Sequence, residues 1–130
     1  MLLMSLAVVL DTNFLLLPFQ RQIDVEAGIE VLLEEPHFFV VLGQCLDELK
    51  EMGSKQRRFS PAARAAVSFI SKAGFIVEKG FPGLPDNALL SYCKAKGAVL
   101  CTLDAALRRK AKGLGIRVIF LRDKGHLAQA

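Results

Sequence analysis

Histidine is almost missing from this sequence. His37 and His126 are the only two, and they stand in unrelated contexts. That all but excludes histidine-ligated zinc and Ser–His or Cys–His nucleophiles, because no nucleophile–His–acid set is available. Cysteine is scarce too. Cys45, Cys93 and Cys101 are odd in number, far apart and set in apolar stretches. Buried free thiols in a reducing compartment are the economical reading, and neither a disulfide framework nor a zinc site fits. No apolar run reaches the roughly 20 residues that a spanning helix needs. MLLMSLAVVL and FLLLPF come nearest, but Asp11, Thr12, Asn13 and Pro18 interrupt them. No Lys or Arg precedes Asp11, as a secretory signal would require. A large excess of one charge is also lacking. Seventeen Lys and Arg against 13 Asp and Glu leave +4, which permits a polyanionic partner without demanding one. The expectation is a cytoplasmic protein with no membrane association.

What is present reads as one globular domain over residues 1–130. That length buries close to two-thirds of the unfolded surface, and 52% apolar with 23% charged residues is a folded composition. No internal repeat stands out. Short apolar runs at 6–10, 38–42, 98–102 and 117–121 read as strands covered on both faces, with a weaker one at 75–78. Helical spacing fills 24–34, 44–52, 61–73, 86–96 and 104–112. Ser60 is the expected N-cap of the third of these, with Pro61 at its first position. Strands alternating with helices across short loops define an α/β fold with a mostly parallel sheet and helices on both faces.

Ligands of open α/β sheets bind at the carboxyl ends of the strands, so the polar residues landing there carry the interest. Asp11 directly follows LAVVL. It either closes the strand as an Asx turn in DTN or serves chemistry. In 44–52, the stripe Cys45, Leu49, Met52 faces inward and Glu48 borders it, whereas Asp47 and Glu51 are expected to point away. Glu48 alone would pass for a surface acid paired with a lysine. Asp86 opens a helix on the side of Leu89, Leu90 and Cys93, and Asp104 lies between the strand at 98–102 and the next helix. Each would serve alone as an N-terminal capping acid.

Together the four acids fall at one edge of the sheet. Four carboxylates in one cleft repel and raise one another's pKa values. A hard divalent cation removes that conflict. An acid set without His or Cys selects Mg²⁺ or Mn²⁺ over zinc. Such an ion activates water and neutralises phosphate charge, which is the chemistry of phosphodiester hydrolysis.

These motifs, in this order, resemble the PIN domain, the small nuclease fold of VapC-type toxins and of rRNA-processing endonucleases. VVLDTNFLL gives a strand ending in Asp11, then Thr12 and Asn13. QCLDELKEM gives Glu48 in the helix after the second strand. PDNALLSYCKAKGAVLCTLD gives Asp86, Gly97, Thr102 and Asp104. DTNFLLLP and VIFLRDKGHL look most like archaeal members near the rRNA-processing branch. Ala106 stands where many toxins carry a further acid. Pro85 and Asn87 flank Asp86 where the rRNA-processing branch often has paired aspartates.

The resemblance implies a three-layer α/β/α fold with a five-stranded sheet in the order 3-2-1-4-5. It implies a divalent-metal-dependent endoribonuclease using Mg²⁺ or Mn²⁺, with Asp11, Glu48, Asp86 and Asp104 as catalytic and metal-holding residues. Asn13 and Thr102 would orient carboxylates and water. RNA is the implied partner, with a second copy of the chain, an antitoxin or a ribosome-assembly factor as further ones. Lys55, Arg57 and Arg58, in the polar stretch GSKQRRFSP, would grip phosphates; Arg64 and the cluster Arg108, Arg109, Lys110 and Lys112 are the other candidates. The rivals are a VapC-type toxin and a non-cleaving RNA-binding or assembly module. A haloacid-dehalogenase-type phosphatase would need Asp at Asn13, and a response-regulator receiver lacks its acceptor Asp.

Overall fold

A strand as uniformly apolar as LAVVL must be covered on both faces, and β1 (Leu6–Leu10) is: from Ala7 onward every residue is buried. The computed structural model describes residues 5–130, so the first four residues of the apolar opening lie outside it. β1 pairs in parallel with β2 (His37–Leu42) on one side and β4 (Val99–Cys101) on the other. β3 (Ile76–Glu78) extends the sheet beyond β2, and β5 (Val118–Leu121) extends it beyond β4, both in parallel. The expected order 3-2-1-4-5 is present, and a sixth strand completes it. β6 (Leu127–Gln129) pairs antiparallel with β5.

The chain moves outward from β1 to β2 and β3, then crosses back to β4 and β5. Right-handed crossovers in opposite directions put their helices on opposite faces. The first group is α1 (Thr12–Gln20), α2 (Val25–Leu32), α3 (Gly43–Ser54) and α4 (Ser60–Lys72). Of these, α1, α3 and α4 pack on one another. The second is α5 (Pro85–Lys96), which lies against β1, β2 and β4, and α6 (Ala105–Gly113), which lies against β5. Gly97 ends α5 at φ 64°, the left-handed conformation that favours glycine. The buried apolar residues form one continuous cluster running through the sheet. Among the described residues no helix is long and apolar enough to cross a membrane.

Two elements were not foreseen, for physical reasons. α1 carries buried Phe14, Leu15, Leu16 and Leu17 in succession. A helix buried on nearly all sides has no apolar stripe to read, and Pro18 argues against a helix there. β6 is three residues at a sheet edge, too short for any alternation to register. Ser60 also differs from expectation. Phe59 is the N-cap of α4 and Ser60 is its first residue, with the Ser60 hydroxyl turned back to the Met52 and Lys55 carbonyls.

Leu100 of β4 is fully buried, whereas Val31 on α2 is 82% exposed. Leu100→Ala should therefore cost about 2–5 kcal/mol in urea denaturation. Val31→Ala should change stability by less than about 0.5 kcal/mol. Similar values for both would contradict the placement of β4 in the core.

Candidate active site

Strand order reverses at β1 and β4, and in open α/β sheets the carboxyl ends of the strands at such a reversal are where ligands bind. Asp11 is the first residue after β1 and Thr102 the first after β4. The Asp11 N–H donates to the Cys101 carbonyl at 3.0 Å, which ties the two strand ends together.

Asp11 occupies the N-cap position of α1, where Asp is a favoured residue, yet its side chain makes no cap bond. Thr102 Oγ1 donates to Asp11 Oδ2 instead, at 2.8 Å. The contrast with two other aspartates is direct. Asp24 caps α2 by accepting from Ala27 N–H, and Asp104 caps α6 by accepting from Ala106 and Leu107 N–H. The simple turn-closing role therefore fits Asp104 and fails for the Asp11 side chain. Burial raises the Asp11 pKa most. The Thr102 hydroxyl and Thr12 N–H pull it back, and the charges of Asp86 and Glu48 add to the rise.

Glu48 is exposed on α3, and the ion pair beside it joins Lys55 to Glu51 at 3.1 Å. Glu51 lines one pocket together with Glu48, a pocket whose wall does not include Asp11, Asp86 or Asp104. Residues three apart on a helix are neighbours, so the pair had to share a face. Asp47 is exposed and does not line this pocket. Asp86 is exposed in the first turn of α5. The loop before it is held from α3, where the Gln44 amide donates to the carbonyls of Phe81 and, at 3.2 Å, Gly83. Sequence reasoning missed Gln44, since nothing in its spacing marks a contact with residues almost forty positions on.

Thr102 is the hub. It is fully buried, donates to Asp11 and accepts from the Asp104 N–H at 3.1 Å. The charges of Glu48 and Asp86 reach Asp11, and Asp104 is linked to it through Thr102. Asn13 is exposed beside Asp11, whose side-chain hydrogen bond comes from Thr102 instead. Among the described residues no three His, Cys, Asp or Glu side chains form a ready-made ligand cluster. The donor set still suits Mg²⁺ or Mn²⁺. Mg²⁺ keeps several waters and takes only one or two carboxylates plus substrate oxygens. Thr12 Oγ1, next to Asp11, is the one buried side-chain polar atom among the described residues with no hydrogen-bond partner. Such an orphan marks a place where water or a ligand completes the bonding.

The three thiols are buried and unpaired, as expected. Burial pushes Cys45 up to about 11 and Cys93 to about 12, so neither is a nucleophile. Two of the basic candidates are engaged in the fold. Arg64 Nη1 donates to the Gly53 carbonyl at 2.8 Å, and Arg108 lies 4.2 Å over the Phe120 ring. Lys55, Arg57 and Arg58 remain exposed between α3 and α4.

A mostly parallel α/β sandwich with the sheet order 3-2-1-4-5 and an aspartate at its strand-order reversal defines the class. The family model described as "PIN like domain" matches residues 8–124, and the chain belongs to that family. No curated protein matches it. Among solved structures it is similar to the PIN domain endonuclease Utp24, with a TM-score of 0.78 at 17% identity, over 95% of this chain and 90% of that one. It is also similar to a chain of VapBC2 from Rickettsia felis, solved bound to a promoter DNA fragment. There the TM-score is 0.66 at 17% identity, over 89% and 99% of the two chains. A domain of a functionally unknown protein from Methanocaldococcus jannaschii aligns with a TM-score of 0.64 at 18% identity, over 92% and 93%. At these identities the likeness shows the fold.

Two predictions follow from this geometry. A raised Asp11 pKa means that the native state binds that proton more tightly than the unfolded chain does. Stability is therefore lost as pH rises from 3.8 through the raised value. In EDTA at pH 7, Asp11→Asn should melt at or above the wild-type temperature, and the two should converge below pH 3.8. A variant markedly less stable at pH 7 would contradict the burial argument. Gln44→Ala should speed amide exchange in residues 80–84 while leaving β1 and β4 protected. Unchanged exchange in that loop would mean that Gln44 does not hold it.

Proposed function

We propose that this protein is a divalent-metal-dependent endoribonuclease that hydrolyses RNA phosphodiester bonds, with rRNA processing as its setting. The observation that carries the proposal is the Asp11 carboxylate. It is withdrawn from helix capping, part-buried at the strand-order reversal, fixed by Thr102, and set in the field of Glu48 and Asp86. Keeping a carboxylate there without a cation is unfavourable, which is the expected state of a site built for one. Family membership supports hydrolysis of nucleic acid. The fold is shared with the PIN domain endonuclease Utp24 at a TM-score of 0.78, and an endonuclease reading is in keeping with that likeness.

Asp11 would hold Mg²⁺ or Mn²⁺, with Glu48, Asp86 and the uncommitted Oδ2 of Asp104 as further donors. When bound, the ion would supply a more acidic water and neutralise charge on the scissile phosphate. The chain's own residues do the rest. Thr102 fixes one Asp11 rotamer, so the carboxylate is oriented before any ligand arrives. Its bond from the Asp104 N–H keeps the Thr102 hydroxyl proton directed at Asp11. Gln44 holds the loop that delivers Asp86. Asn13, exposed two residues after Asp11, would contact bound water or the RNA strand.

The test is cleavage of structured RNA with Mg²⁺ or Mn²⁺. Asp11→Asn should lose cleavage and also lose the Mn²⁺-induced rise in Tm, which reflects a stabilisation of about 2.7 kcal/mol at a hundredfold excess over Kd. Thr102→Val should lower metal affinity or activity by about 10–100-fold while the protein stays folded. Metal-independent RNA binding without cleavage would favour the assembly-module reading. Full cleavage by Asp11→Asn would overturn the site.

A further inference from the structure

Beside the acids lies a concave pocket of about 330 Å³, at the low end of the size of small-ligand sites, roughly 300–1,000 Å³. Glu48 forms part of its wall, together with Glu51, Met52, Lys55, Arg57 and Phe59. Phe59 is an aromatic ring left 50% exposed next to exposed cations. The Arg58 guanidinium stands 5.7 Å from the ring centroid. Leu84 and Leu103 are also exposed near the candidate acids, but neither offers a π-face.

The segment carrying Phe59 is ordered by its own bonds. Residues 55–59 join α3 to α4 as the tip of a helical hairpin. Ser60 is buried behind it. Its hydroxyl accepts from Arg57 N–H at 3.1 Å and sits against the Lys55 and Met52 carbonyls, the latter at 2.8 Å. Arg64 closes the last turn of α3 through the Gly53 carbonyl. A charged loop needed only for solubility has no use for such fixing. A loop that must present a ring and cations in a fixed relation to Glu48 does.

We infer that this pocket is a nucleobase-stacking subsite for an unpaired nucleotide of the RNA strand entering the acid site. Phe59 supplies the stacking face, and Lys55, Arg57 and Arg58 contact the flanking phosphates. The occupant follows from charge and chemistry. An exposed aromatic ring among cations suits a group with a flat π-face and an anionic backbone, and Glu48 joins this pocket to the acids around Asp11. Stacking needs no base identity, so recognition here is tolerant of sequence. The inference rests on the nuclease reading, and the test separates the two.

The probe is a short single-stranded oligoribonucleotide, bound in the presence of Mn²⁺ to protein carrying Asp11→Asn so that it is not cut. Should that change alone abolish binding, wild-type protein with Ca²⁺ serves the same purpose. Phe59→Ala should weaken binding by about 5- to 150-fold, the range for loss of one stacked base. Phe59→Tyr should retain affinity and Phe59→Leu should lose most of it, since leucine keeps the apolar area without the ring. None of the Phe59 changes should alter the salt slope. Lys55→Ala, Arg57→Ala and Arg58→Ala should each lower it by roughly 0.7. If Phe59→Ala does not fold, the comparison of Tyr with Leu decides. RNA binding that is equal in wild type, Phe59→Ala and Phe59→Leu overturns the subsite and leaves the nuclease reading standing. No RNA binding and no cleavage by wild type overturns both.

Discussion

The bond from Thr102 to Asp11 is the contact on which the candidate site depends. It joins the residue after β1 to the residue after β4, the two strands between which the sheet reverses direction. Both ends are set by the backbone before side chains matter, because Asp11 N–H is bonded to the Cys101 carbonyl. Thr102 is fully buried and has one hydroxyl proton to give. The Asp104 N–H takes up an Oγ1 lone pair, and the proton goes to Asp11. That single proton is committed to Asp11 and is not available to another acceptor. Thr12 Oγ1, close by and also buried, is left without a partner.

Much of this was legible in the sequence, and the parts that were not share a cause. β1, β2, β4 and β5 are read from uninterrupted apolar runs because a parallel strand buried on both faces has no other signature. The expectation that Asp11, Glu48, Asp86 and Asp104 share one edge drew on Asp11 and Asp104 following strands, Asp86 opening a helix and Glu48 bordering the inward stripe of its helix. α1 was hidden by the same property that revealed β1: burial all round erases periodicity. β6, Gln44 and the Ser60 bonds depend on partners distant in the chain or on a few residues of edge geometry, and local patterns carry neither.

The two aspartates that open helices after strands show why a motif cannot assign a role alone. Asp11 and Asp104 both occupy N-cap positions. Asp104 Oδ1 accepts both capping bonds, whereas no capping bond reaches Asp11. An aspartate cap is worth about 1 kcal/mol to a helix. α1 forgoes that contribution and is stabilised by burying four successive apolar side chains, each worth about 1.5–3 kcal/mol. The greasy helix and the uncapped aspartate are therefore parts of one arrangement: packing holds α1 in place, and the carboxylate is released from structural duty.

Electrostatics then constrain how such a site can meet its substrate. A cleft of carboxylates repels a polyanion, and a net charge of +4 is too small to overcome this by long-range attraction alone. Cations must stand near the acids without neutralising them. The helical hairpin meets that requirement by geometry. Lys55 is paired with Glu51 and not with Glu48, Arg58 lies against the exposed ring of Phe59, and Arg64 and Arg108 are engaged within the fold. Glu48 is left as the acid shared between the cleft and the basic pocket, so α3 is the element through which binding of the strand and chemistry on it would be coupled.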